Sequence, residues 1–282
     1  MLYSGQHSTD RSAERRWDEI AQTQGMLQER QCAFGNCGLW QTLSPQWSAA
    51  YGLLLKQNTS SEVMPAAHEL KTAVAVVRST VQVLGIRLRS AEEYQSGLDQ
   101  VLADNEGVEE LVSRMLTLAR FEERSGSPPE PIDLSQHLEA AAEKLGKYAE
   151  TKGVQIRSSF EQGVPVRLPP EGAQILSSNL ILNAIQHSPK GSEVIVSVRP
   201  RGIGHRQAWL VVQGFGSGIA PENLSKIFDC FYREDPSRSR ETGGFGLGLA
   251  ICKSIVEAAG GEIRVQSVLD QGTVVTVSLR LS

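Results

Sequence analysis

Two long stretches of the chain place apolar side chains three and four positions apart. Beyond Pro65, Leu70, Ala73, Val74, Val77, Val81, Leu84 and Leu88 follow that spacing. After a break near Arg87–Ser90 it resumes through Tyr94, Leu98, Val101, Leu102, Val108, Leu111, Val112, Met115, Leu116 and Ala119. This period predicts two long helices, over about 48–88 and 91–121, each with a broad apolar stripe. Pro65 marks an early interruption, where a kink or restart is expected. The short connection predicts antiparallel neighbours. Two helices cannot bury stripes this wide against each other. A dimer with a four-helix bundle is the economical solution, and packing of the hairpin on the chain's own C-terminal part is the alternative.

The pattern changes after Glu122–Pro131, whose three prolines, glycine and serines mark a linker. Leu134, Leu138, Ala141, Ala142 and Leu145 predict a helix over 133–150, and further helices are expected over 171–187 and 247–259. Val154–Phe160, Ser192–Arg199, Gln207–Gln213, Glu262–Ser267 and Thr273–Leu281 read as strands, taken as antiparallel. The fold class is therefore α+β: a helical hairpin, then a two-layer α/β sandwich. The chain divides into an N-terminal segment of unknown role (1–47), the hairpin (48–121), a linker (122–131) and the sandwich (132–282).

The N-terminal segment adds little. A partial stripe of Trp17, Ile20 and Leu27 suggests a helix within 11–30. Cys32 and Cys37 are either two unrelated thiols near a turn or half of a metal or redox site. The length of 282 residues suits two domains, and 28 basic against 32 acidic residues argue against nucleic-acid binding through overall charge. The longest apolar runs, Ala73–Val77 and Ala208–Val212, fall far short of a membrane span. If Met1 is the true start, a cytoplasmic protein with no membrane segment is expected. If the chain is a fragment, an anchor could lie outside it.

Four groups of residues carry chemistry. His68 and Thr72 share one helix face, with Glu69 beside the histidine. A neighbouring carboxylate can hold one ring N–H and sharpen the other nitrogen as a nucleophile. Asn179, Asn183 and His187 form a polar stripe spaced by four, and Leu180, Ile181, Leu182 and Ile185 supply the buried side. Two amides and an imidazole on one face suit a magnesium–phosphate site. Gly214, Gly216 and Gly218 follow a strand, and Gly244, Gly246 and Gly248 precede a helix, where backbone amides can meet phosphate. The segment Glu234–Thr242 is polar, without apolar anchors, and reads as a lid.

Taken together, these features resemble the transmitter region of a two-component sensor histidine kinase. The phosphoacceptor signature is His68–Thr72, the N box Asn179–Ser188 and the first glycine box Gly214–Ile219. The aromatic box is Ile227–Arg233, the second glycine box Gly244–Ile251, and Gly272-Thr273 matches the last glycine element. The likeness covers about 60–282 in order and spacing. It implies the histidine-kinase type of ATPase sandwich, a homodimer, ATP and Mg2+ as cofactors, and a response-regulator receiver domain as partner. It implies that His68 takes the γ-phosphoryl of ATP with Glu69 as base and passes it to an aspartate of the regulator, and that Thr72 orients water for dephosphorylation of that regulator. Asn183 would bind magnesium and Asn179 would position metal and phosphates. His187 would lie near the nucleotide. Gly216, Gly218, Gly244, Gly246 and Gly248 would shape the phosphate contacts and the lid hinge, and Thr273 the base-side network.

Two departures stand out. The family's first glycine box opens on aspartate, which accepts from the adenine amino group; Gly214 stands here instead. Ala73 replaces a frequent proline, a change in helix bend rather than chemistry. Gly214 keeps open a second function, a degenerate transmitter that mainly binds or dephosphorylates a regulator.

Overall fold

The computed structural model describes residues 60–122, 130–201, 206–234 and 244–282, with side chains from residue 69 onward. The expected 11–30 helix, the Cys32–Cys37 pair, the start of the first long helix, most of the linker and the polar lid lie outside these residues. The described residues fall within one compact unit, Gly52–Ser282.

The hairpin consists of α1 (Ser60–Gly85) and α2 (Ala91–Glu122). Helix α1 runs unbroken through Pro65, contrary to the expected restart. At Pro65 the bond to the Ser61 carbonyl is forfeited, and the helix continues on its other bonds. A capping box opens α2: the Glu93 N–H donates to Ser90 Oγ at 3.2 Å, and the Ser90 N–H to Glu93 Oε2 at 3.1 Å. Gly97 lets the helices close on each other, since a Cβ there would run into the Leu84 side chain.

The two apolar stripes divide between two fates. Near the C-terminal end of α2, Val108, Leu111, Val112, Met115, Ala119 and Phe121 are buried. Leu70 and Ala73 of α1 pack against the same core as Leu111, Met115 and Phe121. Toward the turn, Val76, Val81, Val83, Leu98 and Leu102 are exposed, and Leu88 is 92% exposed. Half of the stripe thus packs on the chain's own C-terminal part, which was the alternative reading. The other half has no cover among the described residues.

After the linker come β1 (Ile132–Asp133), α3 (Leu134–Lys152), β2 (Gln155–Phe160), β3 (Pro165–Val166) and α4 (Pro170–Gln186). They are followed by β4 (Glu193–Arg201), β5 (Gln207–Gly214), α5 (Gly248–Ala258), β6 (Glu262–Val268) and β7 (Gly272–Arg280). The main sheet has the order β2-β4-β5-β7-β6. It is mixed, not antiparallel throughout: β2 pairs parallel with β4, and the other neighbours pair antiparallel. A parallel pair needs a crossover, and α4 supplies it. Val194, Val196, Val198, Ala208, Leu210 and Val212 alternate with less buried residues and form one face of the core with α3, α4 and α5. The helical region followed by this mixed α/β sandwich is the fold that the sequence pattern implies. Among the described residues no helix is long and apolar enough to cross a membrane.

Asp133 fastens the sandwich to its first helix. It caps α3, accepting from the Ser135 N–H at 3.1 Å and hydroxyl at 2.6 Å, and it also accepts from the Val164 N–H at 3.1 Å. Partial burial raises its pKa, but the bonds from Ser135, Val164 and Gly163 outweigh this and hold the carboxyl below its ordinary value. Asp133→Ala is expected to cost about 1–2 kcal/mol of stability at neutral pH, as a lost N-cap does. Because the folded pKa is lowered, that contribution is complete above the ordinary carboxyl range. It is lost as pH falls through the folded value. Denaturant melts of both proteins from neutral to acid pH check it, and the gap should narrow only at the acid end.

Candidate active site

Helix α4 starts with Pro170, whose fixed φ and missing N–H suit a first turn. Leu176, Leu180, Ile181 and Ile185 are fully or almost fully buried, which leaves Asn179 and Asn183 half-buried on another face. That face looks at the start of α5. A Cβ added to Gly248, the first residue of α5, would lie 3.7 Å from Asn179 Cγ and Oδ1 and 4.0 Å from Asn183 Nδ2. Leu247, at the N-cap, provides no side-chain cap. The first N–H groups of α5 are thus free of a capping side chain and stand beside two amides, which is a place for phosphate.

The glycines have separate reasons. At Gly216 a Cβ would run into the backbone carbonyl of His187, so the loop after β5 lies directly on the end of α4. Gly218 has φ 71° and comes up against the Val268 carbonyl. Gly246 has φ 70°, its carbonyl accepts from the Phe231 N–H at 3.0 Å, and a Cβ would meet the Tyr232 carbonyl oxygen at 2.8 Å. The aromatic segment is thereby fixed to the second glycine box. Gly244 has open space where a Cβ would stand, so packing does not require glycine there.

At the other end of the site, Gly214 pairs in register with Thr273. A Cβ on Gly214 would lie 3.3 Å from Ser188 Oγ and 3.4 Å from the Ala184 carbonyl oxygen. The Ser188 hydroxyl donates to that same carbonyl at 2.7 Å. Thr273 Oγ1 lies 2.7 Å from Ser267 Oγ, which donates to the Gly272 carbonyl at 2.8 Å and accepts from the Ile219 N–H at 2.8 Å. Ser267 has one proton, so with it on Gly272 the Thr273 hydroxyl donates to Ser267. His187 closes the stripe. Its side chain is exposed by area yet stands in a crowded part of the molecule, and this desolvation lowers its pKa while Glu234 opposes the shift.

His68 lies in α1, away from the glycine boxes in sequence; Glu69 is half-buried and Thr72 exposed on the same helix. Arg233, at the end of the aromatic segment, has its pKa lowered by burial and raised by the Glu69 carboxylate. Its Nη2 is buried without a hydrogen-bond partner. The Glu69 carboxylate, on the helix bearing His68, therefore acts electrostatically on Arg233. Sequence reasoning did not foresee this electrostatic pairing.

Among the described residues no cluster of three His, Cys, Asp or Glu could hold a metal. The donor set fits magnesium only in a shared form, with an Asn amide oxygen on one side and phosphate oxygens on the other.

A family model described as histidine kinase-, DNA gyrase B-, and HSP90-like ATPase matches residues 170–282. The sensor-like histidine kinase SenX3 of Mycobacterium tuberculosis is 32% identical over 222 residues, which is 77% of this chain and 52% of SenX3. The sensor histidine kinase CusS of Escherichia coli is 32% identical over 213 residues, 75% of this chain and 43% of CusS. The chain thus spans about half the length of the curated relatives it matches. The solved structure of the Acinetobacter baumannii histidine kinase AdeS has a TM-score of 0.61 over 76% of this chain and 98% of that one, at 20% identity; the likeness there is one of fold. Residues 170–282 are a histidine-kinase-type ATPase domain, and the chain is homologous to the transmitter and ATPase regions of sensor histidine kinases.

Proposed function

We propose that this chain is an ATP-dependent protein-histidine kinase that phosphorylates its own His68 and passes the phosphoryl group to an aspartate of a response regulator. The observation that carries the reading is the convergence of Asn179 and Asn183 on the uncapped N-terminus of α5 at Gly248. Kinship with sensor histidine kinases supports a phosphotransfer role in general, and the residue roles are our assignment.

In this reading the phosphates of ATP rest on the first N–H groups of α5, with Asn183 giving its amide oxygen to magnesium and Asn179 orienting beside it. Magnesium neutralises charge on the phosphates. Gly216 and Gly218 shape the floor, His187 lines the entrance, and Gly244 and Gly246 carry the lid. Thr273 lies on the base side. The His68 imidazole attacks the γ-phosphorus, the bond to the β–γ bridging oxygen breaks, and ADP leaves. Glu69 holds the other ring N–H and takes up its proton. Phosphoryl transfer of this kind is mostly positioning and charge stabilisation. Thr72, on the face of His68, orients water when the regulator is dephosphorylated. The division into a phosphoacceptor hairpin (48–121) and an ATP-binding domain (132–282) belongs to the same proposal. So does the homodimer, which would cover the exposed Val76, Val81, Ile86, Leu88, Leu98 and Leu102. These side chains lie on the half of the hairpin that the ATPase domain does not reach.

The first test is incubation with ATP labelled at the γ position. The phosphoprotein should be acid-labile and base-stable, as a phosphoramidate is. His68→Gln should lose the label while nucleotide binding persists, and unchanged labelling of that variant would sink the assignment.

A second reading, a transmitter with weak kinase activity serving mainly as a regulator-binding module or phosphatase, is favoured by Gly214. No carboxylate stands opposite Thr273 to accept from an adenine amino group. The φ of Gly214 lies outside the left-handed region, so aspartate brings no backbone strain, although Ser188 must give by a few tenths of an ångström. Gly214→Asp is expected to tighten ATP about 10-fold, the scale of a hydrogen bond to a charged group, with little gain for GTP. Titration calorimetry with both nucleotides decides. A folded variant that binds ATP no better than the parent means that Gly214 is not the missing adenine contact.

A further inference from the structure

We propose that Ser188 reads the base: its hydroxyl accepts from the exocyclic amino group of adenine at the place that Gly214 leaves without a side chain, an inference that rests on the nucleotide-binding reading above. Ser188 follows Asn183 by a little over one helical turn, just past the C-terminal end of α4. With its phosphates held beside Asn179 and Asn183, a nucleotide extends toward this end with its base. Around the missing side chain two oxygens come first. A Cβ on Gly214 would have Ser188 Oγ at 3.3 Å and the Ala184 carbonyl oxygen at 3.4 Å as its nearest neighbours. Thr273 stands directly opposite Gly214 on β7. Opposite residues of an antiparallel pair share a face, and Gly214 and Thr273 have the parity of the buried pair Leu210 and Val277. Both therefore face the helix layer, where Ser188 is half-buried.

What these hydroxyls can do is fixed by where their protons already are. A carbonyl cannot donate, so the 2.7 Å bond between Ser188 Oγ and the Ala184 carbonyl uses the one proton of the serine. Only lone pairs are left on Ser188. Thr273 is in the same position. Ser267 gives its proton to the Gly272 carbonyl at 2.8 Å and accepts from the Ile219 N–H at 2.8 Å, so its 2.7 Å bond with Thr273 uses the threonine proton. Both hydroxyls beside the Gly214 gap are thus acceptors only. An amino group placed there finds oxygens that accept from it. A ring carbonyl at the same position meets lone pairs and no proton, and a polar group left unpaired in this way is rejected. The gap therefore selects the 6-amino group of adenine over the 6-carbonyl of guanine without a carboxylate. A neutral hydroxyl accepts less strongly than a charged group, so affinity is reduced while the direction of the preference is kept.

The rival account is that Ser188 only satisfies the Ala184 carbonyl, one of those that the end of a helix leaves without an intrahelical partner. Titration calorimetry of the full chain with magnesium and three diphosphates separates the accounts: ADP, GDP and purine riboside diphosphate, which lacks the 6-substituent. The parent should bind ADP about three- to ten-fold more tightly than purine riboside diphosphate, the scale of a net hydrogen bond between neutral groups, and GDP most weakly. In Ser188→Ala, ADP should weaken by that same factor while purine riboside diphosphate stays within about two-fold, so that the preference disappears. Ser188→Thr keeps the oxygen and should keep the preference. A serine that only caps the helix weakens all three ligands alike when it is replaced by alanine, and that result overturns the proposal. So does a preference lost equally in Ser188→Thr. The comparison of ligands on the parent needs no variant to fold: equal binding of ADP and purine riboside diphosphate leaves the nucleotide site standing and overturns the role of Ser188 alone. A parent that binds none of the three overturns the kinase reading, and the base contact with it.

Discussion

The burial of α4 is the constraint on which the site depends. Leu176, Leu180, Ile181 and Ile185 disappear between the sheet and the neighbouring helices. At roughly 1.5–3 kcal/mol each, these four side chains contribute about 6–12 kcal/mol. That matches the whole net stability of a typical domain, about 5–15 kcal/mol. Rotation of α4 about its axis is therefore closed, and Asn179 and Asn183 have no choice but to face α5. The same rotation places the His187 carbonyl where Gly216 meets it. One buried helix thus aligns the N box, the loop after β5 and the start of α5, and the polar chemistry is a consequence of apolar packing on the opposite side.

The hairpin is tied to this arrangement at two places. Phe121 of α2 lies against Gly172 at the start of α4, and Arg120 pairs with Glu171 at 2.9 Å. That pair is exposed and contributes little; the buried Leu111, Met115 and Phe121 carry the contact. The second place is electrostatic: the Glu69 carboxylate, on the helix bearing His68, opposes the lowering of the Arg233 pKa at the end of the aromatic segment. Gly246 fixes that segment to the second glycine box through the Phe231 N–H.

Much of this was legible in the sequence, and what was missed has physical causes. The long helices and five main strands follow from periods of 3.6 and 2, which burial imposes directly. Period reports which side of an element is apolar but not what covers it, so the stripe on α2 did not reveal that its last turns pack on α5. Alternation does not reveal strand direction either, and the parallel β2–β4 pair was missed for that reason. β1 and β3, with two residues each, are too short for any period. Pro65 reads as an interruption because it lacks an N–H, yet the loss of one bond does not stop a helix that is bonded on both sides of it. In the candidate site, motif spacing located Asn179, Asn183, Gly216, Gly246 and Gly248 where close approaches are found. The influence of Glu69 on Arg233 depends on how separate elements come together, which no local pattern encodes.

The most direct test is amide hydrogen exchange of the full chain with and without magnesium and a non-hydrolysable ATP analogue. The first N–H groups of α5, from Gly248 to Ala250, have no capping side chain and should exchange readily in the free protein. Bound phosphate should slow them, with lesser slowing at Gly214–Gly218 and none in β2 at the far edge of the sheet. Nucleotide that leaves Gly248–Ala250 unprotected, or that protects another surface in their place, would contradict the site described for α4 and α5.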